Sequence, residues 1–438
     1  MNDPIMPPLP VNWQRRFFFI YAGQAFSILG SSLVQFALIW WLTRTTGSAT
    51  VLAASSIATF LPNAILSPFA GALVDRWVRR KVMIASDGLV AVITLVLVIL
   101  FWSDAIQVWH IYLAMFLRSF FGITHFTAMH ASTTLMVPPE HYARIAGINQ
   151  SLRGALNILA PPLGAMLLGL MSIQSVLAID IITAGFAIAP LLFISVPQPS
   201  ETTSIVGKTT PSRLWQDIRS AFRYSIAIPG MVALFAVAMI INFVIAPASS
   251  LIPLLVTQHY KGGVWHLGWI ESAAGIGVVT GGLTLTAWGG FRKKVVTTLV
   301  GVIGIGAGVI LLGGSPSNLF GLAIAGSFLT GFMSPIANGP IMAFLQSRVT
   351  PSMQGRVVTL LESSATIMMP LSLALAGPIS DDLGIQTWFV FGGIACVLVA
   401  AASFFIPSVK NMEDIPAAVS TTNPKAGEPA DIIPAQDL

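Results

Sequence analysis

Gly71-Ala-Leu-Val-Asp75-Arg76-Trp-Val-Arg79-Arg80-Lys81 packs five charged residues into seven positions of a chain in which only 9% of residues are charged. Long apolar segments flank it on both sides. Charges so placed belong at a membrane surface, and because four of the five are positive the surface is expected to be the cytoplasmic one. The run therefore sets the orientation of everything around it.

Composition agrees. The 438 residues are 55% hydrophobic, whereas a soluble domain carries about 25% charged residues to cover its surface. This chain needs a bilayer as solvent. The single cysteine, Cys396, lies in an apolar stretch and excludes a disulfide framework or a cysteine-cluster metal site. A net charge of +5 would suit nucleic acid, but the basic residues fall in short loops between apolar spans, so none is expected to bind. The first apolar stretch is longer than a signal-peptide core, about 7–15 residues, and reads as a retained span.

A window of about 20 residues predicts twelve helices, at 17–42, 49–74, 82–102, 108–136, 146–170, 174–196, 228–257, 264–288, 295–313, 317–346, 356–380 and 386–407. The fold class is thus an all-α membrane protein. Expected domains are an N-terminal six-helix bundle at 1–196, a polar cytoplasmic linker at 197–227 and a second bundle at 228–407. A Pro/Ala-rich, disordered cytoplasmic tail is expected at 408–438. With both termini inside, 18 of the 22 Lys and Arg residues lie on the cytoplasmic side. Arg44 and Lys261 lie outside, and Arg118 and Arg153 lie within spans. That asymmetry fits one topology.

The halves echo each other. Val137-Pro-Pro-Glu-His-Tyr-Ala-Arg144 aligns with Val349-Thr-Pro-Ser-Met-Gln-Gly-Arg356 at an offset of 212, and Arg79-Arg80-Lys81 with Arg292-Lys293-Lys294 at 213. Nearly equal offsets at equivalent positions indicate internal duplication, a transporter plan with the substrate site between parallel halves.

The quoted run resembles the loop between helices two and three of the major facilitator superfamily, with Gly71, Asp75, Arg76, Arg79 and Arg80 at motif positions and Val78 where the second glycine usually stands. Arg118 with Gly122 resembles that superfamily's intramembrane arginine motif. Ala160-Pro161-Pro162-Leu163-Gly164-Ala165 resembles its fifth-helix antiporter motif, with Pro161 and Gly164 kept and both flanking glycines replaced by alanine. The stretch from Gly23 to Thr43, followed by Thr46-Gly-Ser-Ala-Thr50, is similar to the macrolide-efflux branch of bacterial drug exporters. The resemblance implies two six-helix pseudo-repeats, each built of inverted three-helix units. It also implies a cytoplasmic latch at Asp75 and a bacterial cytoplasmic (inner) membrane location.

Each residue also has a physical reading. Asp75, at the negative pole of its own helix, needs partners such as Arg76 or Arg79. It serves either as a latch between halves or as a solvated topology determinant. Arg118 sits mid-span, where a charge costs at least about 2.5–3.5 kcal/mol, and His125 follows seven residues later on nearly the same face. That face should meet a polar cavity or a partner acid, or else satisfy carbonyls between helices.

Intramembrane acids are few: Asp87, Asp180, Glu271 and Glu362. Glu271 is the preferred proton carrier and Asp180 is a coupling or structural acid. Asp87 and Glu362 are expected to pair with Arg76, Arg79 or Arg153 in the gate region. Gln24 and Asn242, with Ser27, Ser31, Asn157 and Asn338, offer polar groups either to a large apolar cavity or to interhelical contacts. Gly275-Ile-Gly277 and Gly301 to Gly308 read as close helix packing.

These readings point to a secondary exporter of amphiphilic small molecules, macrolide-like drugs among them, exchanged against protons, with no enzymatic activity, cofactor, metal or obligate protein partner. An exporter of a siderophore or other metabolite, an importer, and a non-transporting sensor remain alternatives at this stage.

Overall fold

The computed structural model describes residues 12–74, 77–194, 196, 219–220, 222–226, 228 and 231–406. Asp75, Arg76, the tail and most of the expected linker lie outside them. Among the described residues the chain forms twelve long helices. The first six are α1 (Trp13–Thr46), α2 (Ala49–Val74), α3 (Arg79–Trp102), α4 (Val108–Met136), α5 (Tyr142–Leu170) and α6 (Ile173–Phe193). The second six are α7 (Met231–Gln258), α8 (Val264–Trp288), α9 (Lys294–Gly314), α10 (Phe320–Arg348), α11 (Pro351–Leu383) and α12 (Ile385–Phe404). Eleven of them are apolar enough along their length to cross a membrane, and α2, at 26 residues, is long enough to do so. Only helices satisfy every backbone group within a single apolar segment, which is why hydropathy alone reads this architecture.

The helices pair by one rule in both halves. In the first, α1 packs on α5 and α6, α2 on α4, and α3 on α4 and α6. Adding six to each number gives the pairs of the second half: α7 with α11 and α12, α8 with α10, and α9 with α10 and α12. The two large seams between halves, α2 with α11 and α5 with α8, exchange under the same operation. The sequence echo has a counterpart here as well. Val137 and Val349 are both buried and extended, and each caps the preceding helix through its N–H, to Thr133 and Leu345 respectively.

The turns after α2 and α8 differ. Val78 adopts φ −66° and ψ 109°, ordinary for any L-residue, so no glycine is required there. Between α8 and α9, Gly289 and Gly290 take φ +77° and +83°, values that a side chain resists.

The apolar core is asymmetric along the helix axes. One cluster runs through both halves, joining them toward the α1–α2 turn through Leu38, Leu52 and Phe101 with Leu254, Leu267 and Phe389, and in the second half it continues along the helices to Leu299 and Ala400. At the end bearing the α2–α3 turn the halves have separate clusters. Phe17, Met83, Val137 and Leu191 belong to one, and Met231, Phe344, Val349 and Val357 to the other.

Candidate transport site

Three helices of the first half each place polar residues seven positions apart: Gln24 and Ser31 on α1, Asp87 and Thr94 on α3, Arg118 and His125 on α4. Seven residues are two helical turns, so each pair shares a face and spans about 10 Å. Because α4 runs opposite to α1 and α3, the six residues fall into two stacked layers.

The layer nearer the α1–α2 end is an ion pair. Arg118 Nη1 lies 2.7 Å from Asp180 Oδ2, with the side chains 9% and 1% exposed. Thr94 Oγ1 donates to Asp180 Oδ2 at 2.8 Å, Ser31 Oγ donates to Oδ1 at 3.0 Å, and Arg118 also donates to Thr94 Oγ1. Arg118 thus meets the partner acid its position requires, and that acid is Asp180, on α6. The approach of α1 depends on glycine. A Cβ at Gly30 would stand 3.1 Å from Asp180 Cα, and one at Gly23 would stand 2.5 Å from the Phe186 carbonyl oxygen.

The second layer is less complete. Among the described residues Asp87 receives one hydrogen bond, from Gln24 Nε2 at 3.3 Å, and its Oδ2 lies 3.5 Å from His125 Nε2. Gln24 Oε1 and His125 Nε2 are buried without a hydrogen-bond partner among those residues. Ser86 and Thr124, one residue away from Asp87 and His125, share a buried hydrogen bond of 3.2 Å. Of the partners expected for Asp87, Arg79 instead donates to the Ala131 carbonyl, while Arg76 and the Arg153 side chain lie outside the described residues. Asp87 lies eight residues beyond Arg79, about 12 Å deeper along α3, and faces α1 and α4.

The sequence matches the family model described as Major Facilitator Superfamily over residues 20–358 and 248–434. The chain belongs to the major facilitator superfamily.

Among curated relatives, Macrolide efflux protein A of Streptococcus pyogenes is 30% identical over 404 residues, covering 92% of this chain and 98% of that one. Macrolide efflux protein A of Enterococcus faecalis is 30% identical, covering 75% and 100%. Multidrug efflux pump Tap of Mycolicibacterium fortuitum is 25% identical, covering 88% and 94%. In fold the chain is similar to the nucleoside transporter NupG (D323A mutant), with TM-score 0.70, 13% identity and coverage of 92% and 100%. It is equally similar to a bacterial homolog of the lysosomal transporter Spinster, with TM-score 0.70, 14% identity and coverage of 92% and 98%. As a major facilitator transporter this chain is a multi-pass membrane protein that moves a small molecule and is not an enzyme.

The superfamily motifs take these places. Gly71 lies in the last turn of α2, and Asp75 and Arg76 fall outside the described residues. Arg79 Nη1 donates to the Ala131 carbonyl of α4 at 2.5 Å. Arg80 donates to the Leu191 and Leu192 carbonyls at 2.5 and 2.6 Å, so a cation closes the negative C-terminus of α6. In the antiporter-like motif, Pro161 is inside α5 and Gly164 meets the Phe36 ring of α1. The neighbouring Ala165 meets Gly268 of α8.

The remaining residues lie apart from the polar layers. Asn242 Nδ2 donates to the Ala238 carbonyl of its own helix at 2.9 Å. Glu271 is half-buried on α8, with no hydrogen bond or ion pair among the described residues. Glu362 is exposed on α11 and forms no ion pair among the described residues, which do not include Arg76 or the Arg153 side chain. Arg153's side chain lies outside the described residues.

One contact between the halves has no counterpart in the sequence pattern. Asp381, in the last turn of α11, accepts hydrogen bonds from Ser48 Oγ (2.9 Å), Ala49 N (2.6 Å) and Thr50 N (3.0 Å). It caps α2 from the opposite half, where a carboxylate meets a helix N-terminus. Beside it, a Cβ on Gly377 would come within 2.8 Å of Thr50 Cα. Ser48 before an apolar run signals a helix start, but the acid that caps it is more than 300 residues away.

Proposed function

We propose that this chain exports amphiphilic small molecules, macrolide-like drugs among them, by proton antiport and alternating access in the bacterial cytoplasmic membrane. Residues 1–196 and 228–407 act as two bundles joined through a linker at 197–227, and residues 408–438 form a cytoplasmic tail. The observation that carries this reading is the uneven core: one cluster spans both halves at the α1–α2 end, and separate clusters serve them at the α2–α3 end. Such a molecule offers access at one end and reaches the opposite state by rocking about the α2–α11 and α5–α8 seams. The excess of Lys and Arg supports a cytoplasmic α2–α3 end and cytoplasmic termini, and with that orientation the separate cores mark an inward-open state. The intramembrane acids supply sites for the driving proton. The efflux names of the relatives, at up to 30% identity over 92% of the chain, support drugs as the cargo.

The test is a panel of compounds against an efflux-deficient bacterial host expressing the chain. At least a fourfold rise in inhibitory concentration is expected for macrolides, together with faster energy-dependent loss of a preloaded macrolide. Unchanged values for every macrolide would sink the drug assignment.

Alternating access makes Asp381 a latch for the inward-open state. Its loss removes a cap worth about 0.5–2 kcal/mol, which shifts a two-state population about twofold to thirtyfold. Spin labels at Thr46 and Leu383 should show Asp381→Ala moving the distance distribution toward longer separations, because these sites flank the seam that opens. A distribution identical to wild type would remove the latch.

A further inference from the structure

The two polar layers differ in their charge balance. Asp180 is paired with the guanidinium of Arg118, so that layer is balanced by a cation of its own. Asp87 has no such partner. Among the described residues, the charged and titratable groups around it are His125 and Arg118 from α4, Asp180 from α6, and Arg79 at the start of its own helix; α1 brings Gln24, with the buried Tyr21 hydroxyl one turn nearer its start. Arg118 is bound to Asp180, and Arg79 lies about 12 Å away along the helix. That leaves the imidazole of His125, 3.5 Å from Asp87 Oδ2.

A carboxylate and an imidazole sum to zero charge only when they hold one proton between them, on either group. With that proton gone, a carboxylate supported by a single 3.3 Å hydrogen bond would stand bare in the membrane interior, which is costly. The hydrogen bonding is also unfinished. Among the described residues, Gln24 Oε1, in a residue 3% exposed, and His125 Nε2, which as a bare ring nitrogen would accept, are both buried without a hydrogen-bond partner. The layer therefore lacks one proton donor. His125 is its most exposed member, 14% as against 9% for Asp87, and the layer lies toward the end where the halves have separate cores.

We propose that Asp87 and His125 together form the proton-binding site that drives transport. The pair takes up one proton from the outer side when the outer end is open, and releases it to the cytoplasm from the inward-open state. The proton is the only species transferred, and no bond other than N–H or O–H forms or breaks. Arg118–Asp180, one layer away, is the fixed partner that keeps α4 and α6 in place while the inner pair changes charge. This inference rests on the proton-antiport reading above.

Two measurements on the full-length protein test it. The first, independent of substrate, is an infrared pH titration of the protein in liposomes, following the carboxylic-acid carbonyl band. In wild type a buried band should disappear as pH rises. It should be missing in Asp87→Asn, shifted along the pH axis in His125→Gln, and retained in Glu271→Gln. A band that survives in Asp87→Asn and vanishes in Glu271→Gln overturns the proposal and gives the proton to Glu271. The second is erythromycin transport in proteoliposomes. Asp87→Asn should lose at least tenfold of the uptake driven by an imposed pH gradient while keeping erythromycin counterflow, which needs no gradient. A merely structural role would lower both together. If Asp87→Asn yields no folded protein, His125→Gln carries the test: gradient-driven uptake with wild-type pH dependence overturns the proposal. Wild-type protein that ignores the gradient fails the antiport reading itself, and the proposal falls with it. Wild type that responds, with Asp87→Asn responding equally, fails the proposal alone.

Discussion

Arg118→Ala should abolish the macrolide resistance proposed for cells expressing this chain, while the protein is still found in the membrane. The substitution leaves Asp180, 1% exposed, with hydrogen bonds from Thr94 and Ser31 but without its cation. Removing one partner of a buried pair costs about 3–5 kcal/mol, because the remaining charge is uncompensated. Asp180 must then take up a proton or draw in water, and either response loosens α6 from α3 and α4. Arg118→Lys keeps the charge but not the planar fork that reaches both Thr94 and Asp180, so it should retain a fraction of activity. An apolar pair, Arg118→Met with Asp180→Leu, distinguishes packing from mechanism. Such replacements are often neutral or stabilising, so the double variant should regain the thermal stability of the detergent-solubilised protein without regaining resistance. Resistance measured beside membrane protein level checks all three. Normal resistance in Arg118→Ala would remove the pair from the transport mechanism.

Much of this architecture is legible in the chain, for a definite reason. A bilayer admits only helices here, so apolar length alone defines 49–74, 108–136 and 264–288 to the residue. Other ends move by about a turn, among them the start of α3, whose first turn is polar. Reading α3 from residue 82 treats Arg79–Lys81 as loop, whereas the helix begins at Arg79. That shift of one turn is why Asp87 looks like a gate acid from the sequence and proves to lie deeper, against α1 and α4. The spacing of Arg118 and His125 shows that α4 carries a polar face, but not which acids meet it, since Asp180 and Asp87 arrive on α6 and α3. A sharper signal is present in α1, where Gly23-Gln24 recurs as Gly30-Ser31 seven residues later. The glycines admit α6 and the polar neighbours supply the two layers. Asp381 has no local signal at all, because its partners belong to the other half.

Gly281→Val should remove most of the folded protein, while Gly282→Val, one residue along, leaves it unchanged. Helices in a bilayer gain little from hydrophobic contact with each other and associate through close packing. On α8, Gly277 and Gly281 press directly on the backbone of α10: a Cβ would stand 2.3 Å from the Phe328 carbonyl oxygen and 2.0 Å from that of Phe332. Gly331 returns the contact from α10, with a Cβ position 2.1 Å from the Ala274 carbonyl oxygen. No rotamer relieves a clash with backbone, so the two helices must part along their length. Overpacking of this kind costs about 1–3 kcal/mol and occasionally more, and here it is joined by the contacts that separation forfeits. Gly282 has nothing within 4 Å of its Cβ position and tolerates the same side chain. Helix α8 also carries Glu271 and forms the seam with α5, where Gly275 meets Ile158 and Trp265 meets Gly169. Displacing α8 therefore disturbs the joint between halves as well as the second half itself. The monodisperse fraction after detergent extraction and the thermal midpoint of that fraction should both fall for Gly281→Val and hold for Gly282→Val. Equal behaviour of the two variants would show that the α8–α10 contact does not set the stability of the fold.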